Sequence, residues 1–267
     1  MDREKIKRLL RAQINLTGHI IGVSVGSGMT AKIAAMGGAD ILLALSAGKY
    51  RIMGRSSFSS YFCYGNNNEQ VMNPGKREIF PTVALIDGKF REALEEEGTT
   101  FDREVAAIKL AKHFNLFTMA FVTNENETRQ MIEAGADVIC VHLGLTKGGF
   151  LGAKKHISID AARKIAEKIF SVCRKFNPEV LRMFYAGPAN TLVDMRYLYT
   201  GTNCQGYIGG SIFETGQSFK RYEDPSKKNP LNKLIDRQNT ESPVEFIRKY
   251  VEENYRRQGR IFRLCSC

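Results

Sequence analysis

The sequence predicts an α/β fold: a parallel (β/α) barrel of the TIM type, with its working residues on the loops that follow the strands. Three observations point there. Apolar runs of strand length alternate with helical stretches along most of the chain, an order that builds parallel sheets. Runs such as residues 40–45 (DILLAL) and 137–143 (DVICVHL) are almost continuously apolar, as strands covered on both faces are. The phrase Gly-Ala-Asp recurs at 38–40 and 135–137, each time between a helix and a strand.

The elements follow in order. Residues 1–16 place Ile6, Leu9, Leu10 and Ile14 at the spacing of an opening helix. Residues 19–25 (HIIGVSV) read as a strand entering the turn Gly26-Ser27-Gly28, with a short helix over 31–39. The second strand, 40–45, ends in Ser46-Ala47-Gly48. Residues 49–80 break the rhythm: they hold Gly, Ser, Asn, Tyr and Arg with little periodicity. Residues 81–86 (PTVALI) form a strand ending in Asp87-Gly88, then helices cover 92–98 and 102–114, the second capped by Asp102. Residues 116–122 (LFTMAFV) are a strand and 126–134 a helix closed by Gly135. After the strand at 137–143, a glycine-rich loop over 144–152 leads to a helix at 158–176 capped by Ser158. Residues 180–185 (VLRMFY) are a strand, 192–199 a helix, and 205–208 (QGYI) a short strand before Gly209-Gly210-Ser211. A dinucleotide-binding sheet is the weaker alternative. Position 31 is Ala where the glycine fingerprint has its third residue, and no acidic residue ends the second strand.

Composition narrows the class. The chain has 267 residues, 43% hydrophobic and 25% charged, ordinary values for a globular protein with a large core. No apolar run reaches the ~18 residues that span a bilayer, and the charged start lacks a signal-peptide core, so a cytoplasmic location without a membrane partner is expected. The six cysteines are too scattered for a metal site and read as reduced thiols, with Cys265 and Cys267 in an exposed tail. The net charge of +11 is concentrated over 220–233 and 248–263, so the chain divides into a barrel over 1–220 and a basic helical tail over 221–267, including a helix at 244–258. No nucleic-acid motif accompanies that charge, and a nucleic-acid partner is not expected.

Several long phrases resemble one family in the right order: GSGMTAKIAAMGGADILLALSAGKYRIMGR, FPTVALIDGKFREALEE, GADVICVHLGLTKGGFLGA, YAGPANTLVDMRYLY and GYIGGSIFE. Over roughly residues 1–220 the chain is similar to the phosphoenolpyruvate hydrolase-like family, TIM barrels of the phosphoenolpyruvate mutase and pyruvate kinase superfamily. The resemblance implies a departure. Family members carry a helix, a strand and another helix where this chain passes from residues 64–68 (YGNNN) almost directly to residues 81–88. About forty residues, roughly one β-α unit, are absent. Ile79-Phe80-Pro81 reads as the splice. The expected barrel is therefore incomplete, because strand number, shear and tilt are linked.

The candidate site residues lie after the strands. Ser46 matches the family's strand-two loop, which approaches the anionic end of the substrate, and Gly48 leaves room for backbone donors. Arg51 and Arg55 flank Gly54 and offer guanidinium forks for a carboxylate or phosphate. Asp87 ends a strand, where a carboxylate can hold Mg²⁺ or act as a base. His142 ends another strand and is poised for proton transfer. Gly148 and Gly149 permit close backbone approach. Gly187, Gly209, Gly210 and Ser211 form candidate phosphate loops. The expected activity is hydrolysis of an enol phosphate, or related C–O or C–C chemistry, on a small phosphorylated or carboxylated metabolite with a divalent metal. A homo-oligomer is expected. Related barrels are fused to transcriptional regulators, which keeps a second reading open: a catalytically silent ligand-binding module. A third is a truncated, non-functional product.

Overall fold

The computed structural model describes residues 2–61, 88–147, 155–185 and 187–214. Helix α1 (Arg3–Thr17) leads into β1 (Ile20–Val25) and α2 (Gly28–Met36); β2 (Ile41–Ala44) is followed by α3 (Ser46–Ile52) and a 3-10 turn (Ser57–Tyr61). After α4 (Gly88–Glu96) and α5 (Phe101–His113) come β3 (Met119–Val122), α6 (Glu125–Ala134) and β4 (Val138–His142). Then follow α7 (Ile159–Phe176), β5 (Leu181–Tyr185), α8 (Leu192–Gly201), β6 (Gly206–Gly209) and α9 (Ser211–Glu214).

The described strands form one sheet in the order β2-β1-β6-β5-β4-β3, and every pairing is parallel. The last strand lies beside the first, as it does when a (β/α) repeat curls toward closure. Side-chain alternation splits the core in two. Ile21, Val23, Val25, Ile139, Val141 and Phe184 face the helices. Ile20, Leu43, Phe121, Cys140, Met183 and Ile208 face inward and make a second cluster. Leu43 and Phe121 come from the two ends of the strand order yet share that cluster, so the sheet is curled. Helix α1 closes the N-terminal end by sending Ile6, Leu10 and Ile14 into the same interior. The architecture is an incomplete TIM-type barrel, open between β2 and β3 among the described residues. No helix among those residues is long and apolar enough to cross a membrane.

The Gly-Ala-Asp repeat has a shared mechanical role. The Asp40 carboxylate accepts the Ile21 N–H at 2.8 Å, while the Asp40 N–H donates to the Ile21 carbonyl. Asp137 does the same with Thr118, accepting its N–H at 3.0 Å and donating to its carbonyl. Each aspartate therefore pins the start of its own strand to the strand before it.

Some expectations are corrected. Residues 49–61, expected to be irregular, hold most of α3 and the 3-10 turn, and the expected turn Ser46-Ala47-Gly48 is the start of that helix. Asp102 lies in the first turn of α5, and Thr100 occupies the cap position. The run at 116–122 joins the ladder only from Met119, because its partner β4 begins at Val138. The expected strand over 81–86 and the basic tail lie outside the described residues.

Candidate functional site

Two places at the C-terminal ends of the strands gather polar groups. The first is centred on Arg51, which is buried. Its Nη2 donates to the carbonyl and hydroxyl of Ser24 at 3.2 and 3.1 Å, and its Nη1 donates to the Ser57 hydroxyl at 3.2 Å. A side chain at Gly210 would begin 2.8 Å from Nη2, so the residue after β6 must be glycine for the guanidinium to lie beside it. Arg51 thus ties the end of β1 to α3 and the 3-10 turn, beside the residue that follows β6.

The second place is aromatic. His142, Tyr185 and Phe121 are inward positions at or near the ends of β4, β5 and β3. His142 is paired with Tyr185 in the ladder, with ring centroids 4.9 Å apart, and meets Phe121 edge-on at 5.8 Å. The Gly144 N–H donates to His142 Nδ1 at 3.0 Å, which assigns the ring proton of the neutral form to Nε2. Desolvation among these rings pushes the imidazole pKa down from 6.5 to about 3. The ring is therefore neutral near pH 7, a hydrogen-bond donor at Nε2.

The remaining candidates sort by position. The Gly48 N–H is used by Leu45 O, and a Cβ on Gly48 would lie 2.6 Å from Val25 O, so this glycine packs backbone against backbone with Gly26. The Gly187 N–H donates to Gly144 O, and its carbonyl accepts from Lys147 N–H, which laces the β4 and β5 loops together. Gly187 has φ +73°, and a Cβ there would meet Leu143 at 2.4 Å. Gly209 lies in the β6 ladder opposite Val23, with Tyr207, Ile212 and Phe213 around it. Ser46 and Ser211 open α3 and α9, next to the Arg51 cluster in the chain order. Arg55 is exposed. Asp87, Gly148 and Gly149 lie outside the described residues. No group of three or more His, Cys, Asp or Glu side chains able to hold a metal occurs among the described residues, so these residues alone do not fit a Mg²⁺ site. The buried thiols are shielded: burial pushes Cys140 well up, and Cys173 and Cys204 to about 12.

Ser24 and Tyr185 were not among the sequence candidates. The signal for Tyr185 was present: it ends an apolar run and shares the inward alternation of Leu181 and Met183. Ser24 carried no such signal, since its partner Arg51 is 27 residues away.

A family model described as phosphoenolpyruvate hydrolase-like matches residues 5–81 and 78–215. The chain belongs to that family. The match falls into two pieces that meet at 78–81, where the sequence placed the splice. The curated relatives match over more positions than this chain supplies. A protein named as a transcriptional regulator in Sinorhizobium fredii is 30% identical over 251 residues, which occupy 79% of this 267-residue chain, so about 40 of them have no counterpart here. The ToMV susceptible protein tm-1 of Solanum lycopersicum is 29% identical over 248 residues and 78% of the chain. The matched regions make up 41% and 33% of those two proteins, so the chain spans well under half the length of these relatives. Among solved structures, 2,3-dimethylmalate lyase, a PEP mutase/isocitrate lyase superfamily member, is similar at TM-score 0.44 and 15% identity, over 88% of this chain and 98% of that one.

Proposed function

We propose that the open end of this barrel binds a small phosphorylated or carboxylated metabolite and acts as a phosphoenolpyruvate hydrolase-like enzyme. The observation that carries the reading is the placement, at the C-terminal strand ends, of a buried arginine and a neutral histidine donor. Arg51 supplies positive charge near the ends of β1 and β6, with the backbone of Gly210 beside its guanidinium. His142 supplies a donor to an oxygen that becomes negative during the reaction. For an enol phosphate, water adds to phosphorus, the bridging P–O bond breaks, and the enolate left behind takes a proton at its methylene carbon to give pyruvate. His142 stabilises the enolate oxygen in this scheme. Asp87 is the proposed carboxylate for a divalent cation or for moving the proton, and Ser46, Arg55, Gly148, Gly149 and Ser211 complete the proposed binding loops, while Gly48, Gly187 and Gly209 pack the backbone that carries them. A homo-oligomer formed through the open side of the sheet belongs to the same proposal.

The test is phosphate release from phosphoenolpyruvate by the full chain with Mg²⁺ or Mn²⁺. Release that falls at least tenfold in Arg51→Met and His142→Phe supports the reading; no release with either cation sinks it. EDTA removes the activity where Asp87 works through a metal. A second reading, a silent binding module, is favoured by the missing β-α unit. Under it, phosphoenolpyruvate, pyruvate or inorganic phosphate raises the melting temperature without being turned over.

A further inference from the structure

Tyr185 stands out once the mouth is searched for polar groups that the fold itself does not use. The residue is only 9% exposed, yet among the described residues its hydroxyl makes no hydrogen bond. The oxygen is not fully enclosed by the described residues either. A phenol that deep, with a solvent-reachable and unengaged hydroxyl, is an open donor aimed into the barrel mouth. His142 Nε2 is in the same condition: Nδ1 is occupied by the Gly144 N–H, and Nε2 has no partner among the described residues. The two residues are direct ladder partners on adjacent parallel strands, and their rings are tilted by 41° at 4.9 Å. Phe121 walls the other side, 5.2 Å from Tyr185 and 5.8 Å from His142.

We propose that Tyr185 Oη and His142 Nε2 form a two-donor site for a single oxygen of a small carboxylate or carbonyl ligand. Both donors are neutral, so the pair selects an oxygen acceptor without demanding a full ion pair, and the aromatic wall keeps competing water away. Arg51 lies at the ends of β1 and β6 and supplies charge from a separate part of the mouth. The pair therefore discriminates ligand shape, while the arginine discriminates charge. This inference rests on the mouth being the ligand site and adds to that reading a residue it did not contain.

Pyruvate is the probe, titrated into the full chain labelled with ¹⁵N at histidine and followed through the His142 ring signals. Wild type is expected to bind with the ring in its Nε2–H form throughout. Tyr185→Phe and His142→Phe are each expected to weaken binding roughly tenfold. Tyr185→Phe leaves the melting temperature unchanged, because its hydroxyl has no partner to lose; a purely structural tyrosine would lower it. Binding by Tyr185→Phe equal to wild type, or no pyruvate binding by wild type, overturns the pair. Strict additivity in the double variant puts the donors on separate oxygens and overturns the shared site. The enzymatic reading is judged apart: phosphate release untouched by Tyr185→Phe sinks the pair alone, and pyruvate binding through the pair without any phosphate release sinks the activity alone.

Discussion

Asp137 shows how much one side chain can hold. Its carboxylate accepts from Arg3 Nη2 at 2.8 Å and Nε at 2.9 Å, and from the Thr118 N–H at 3.0 Å, while its own side chain is 2% exposed. Replacing it with Ala strands the Arg3 guanidinium and a buried N–H together. Removing one partner of a buried pair costs about 3–5 kcal/mol, and Arg3, at 18% exposed, recovers part of that in water. We expect Asp137→Ala to lower the melting temperature by roughly 5–10 °C and Asp137→Asn, which keeps an acceptor for Thr118, to lower it less. His142 gives a second prediction at this scale. The unfolded chain takes up a proton near pH 6.5 that the folded ring refuses until about 3. Stability therefore falls as pH is lowered through that window, by at most ~1.4 kcal/mol per unit from this residue. Urea midpoints measured from pH 7 to pH 4 should fall more steeply for wild type than for His142→Phe. The catalytic candidate and its strand were legible because a histidine after VICV and before glycine is local information. Its hydrogen bond from Gly144 and its pairing with Tyr185 were not, because they depend on which strands meet.

At the scale of elements, the strand–helix rhythm was readable wherever apolar runs were long and capped by local chemistry. Asn124 capping α6 through the Glu127 N–H at 2.9 Å, and Ser158 capping α7 through the Ala161 N–H at 3.1 Å, are such cases. Helix α3 was not readable. It begins SAG, and a glycine in a helix costs about 1 kcal/mol relative to alanine. The glycine is nevertheless required, since any side chain at 48 would strike the backbone of Val25 and Gly26. Tertiary contact overrides propensity there. Sheet position makes a prediction of its own. Strands β4 and β5 have neighbours on both sides and are almost wholly buried, whereas β2 lies at one end of the described sheet with Leu42 exposed. Amide exchange should therefore be faster in β2 than in β4 or β5 by orders of magnitude. Equal protection in β2 and β4 would show that another segment pairs with β2.

The whole molecule poses the question of how a barrel tolerates the loss of a unit. Its six described strands still share one interior, from Leu43 in β2 to Phe121 in β3, and α1 still covers the N-terminal end. The gap in the described sheet lies between β2, which leads into the helix that carries Arg51, and β3, which carries Phe121. On the elements that lead into the two edge strands, Ile33 and Met36 on α2, Leu42 on β2, Leu110 on α5 and Phe114 just after it are exposed apolar residues. Inserting the relatives' roughly forty-residue segment at positions 78–81 tests this directly. A strand added between β2 and β3 supplies hydrogen bonds to an edge, and an added helix covers part of that apolar surface. We expect the insertion to slow amide exchange in β2, raise the melting temperature by at least 5 °C, and shift any oligomer toward monomer, measured by exchange mass spectrometry, calorimetry and light scattering. Unchanged exchange in β2 with an unchanged melting temperature would mean that the shortened chain has already closed its sheet by other means, and the incomplete barrel would have to be abandoned.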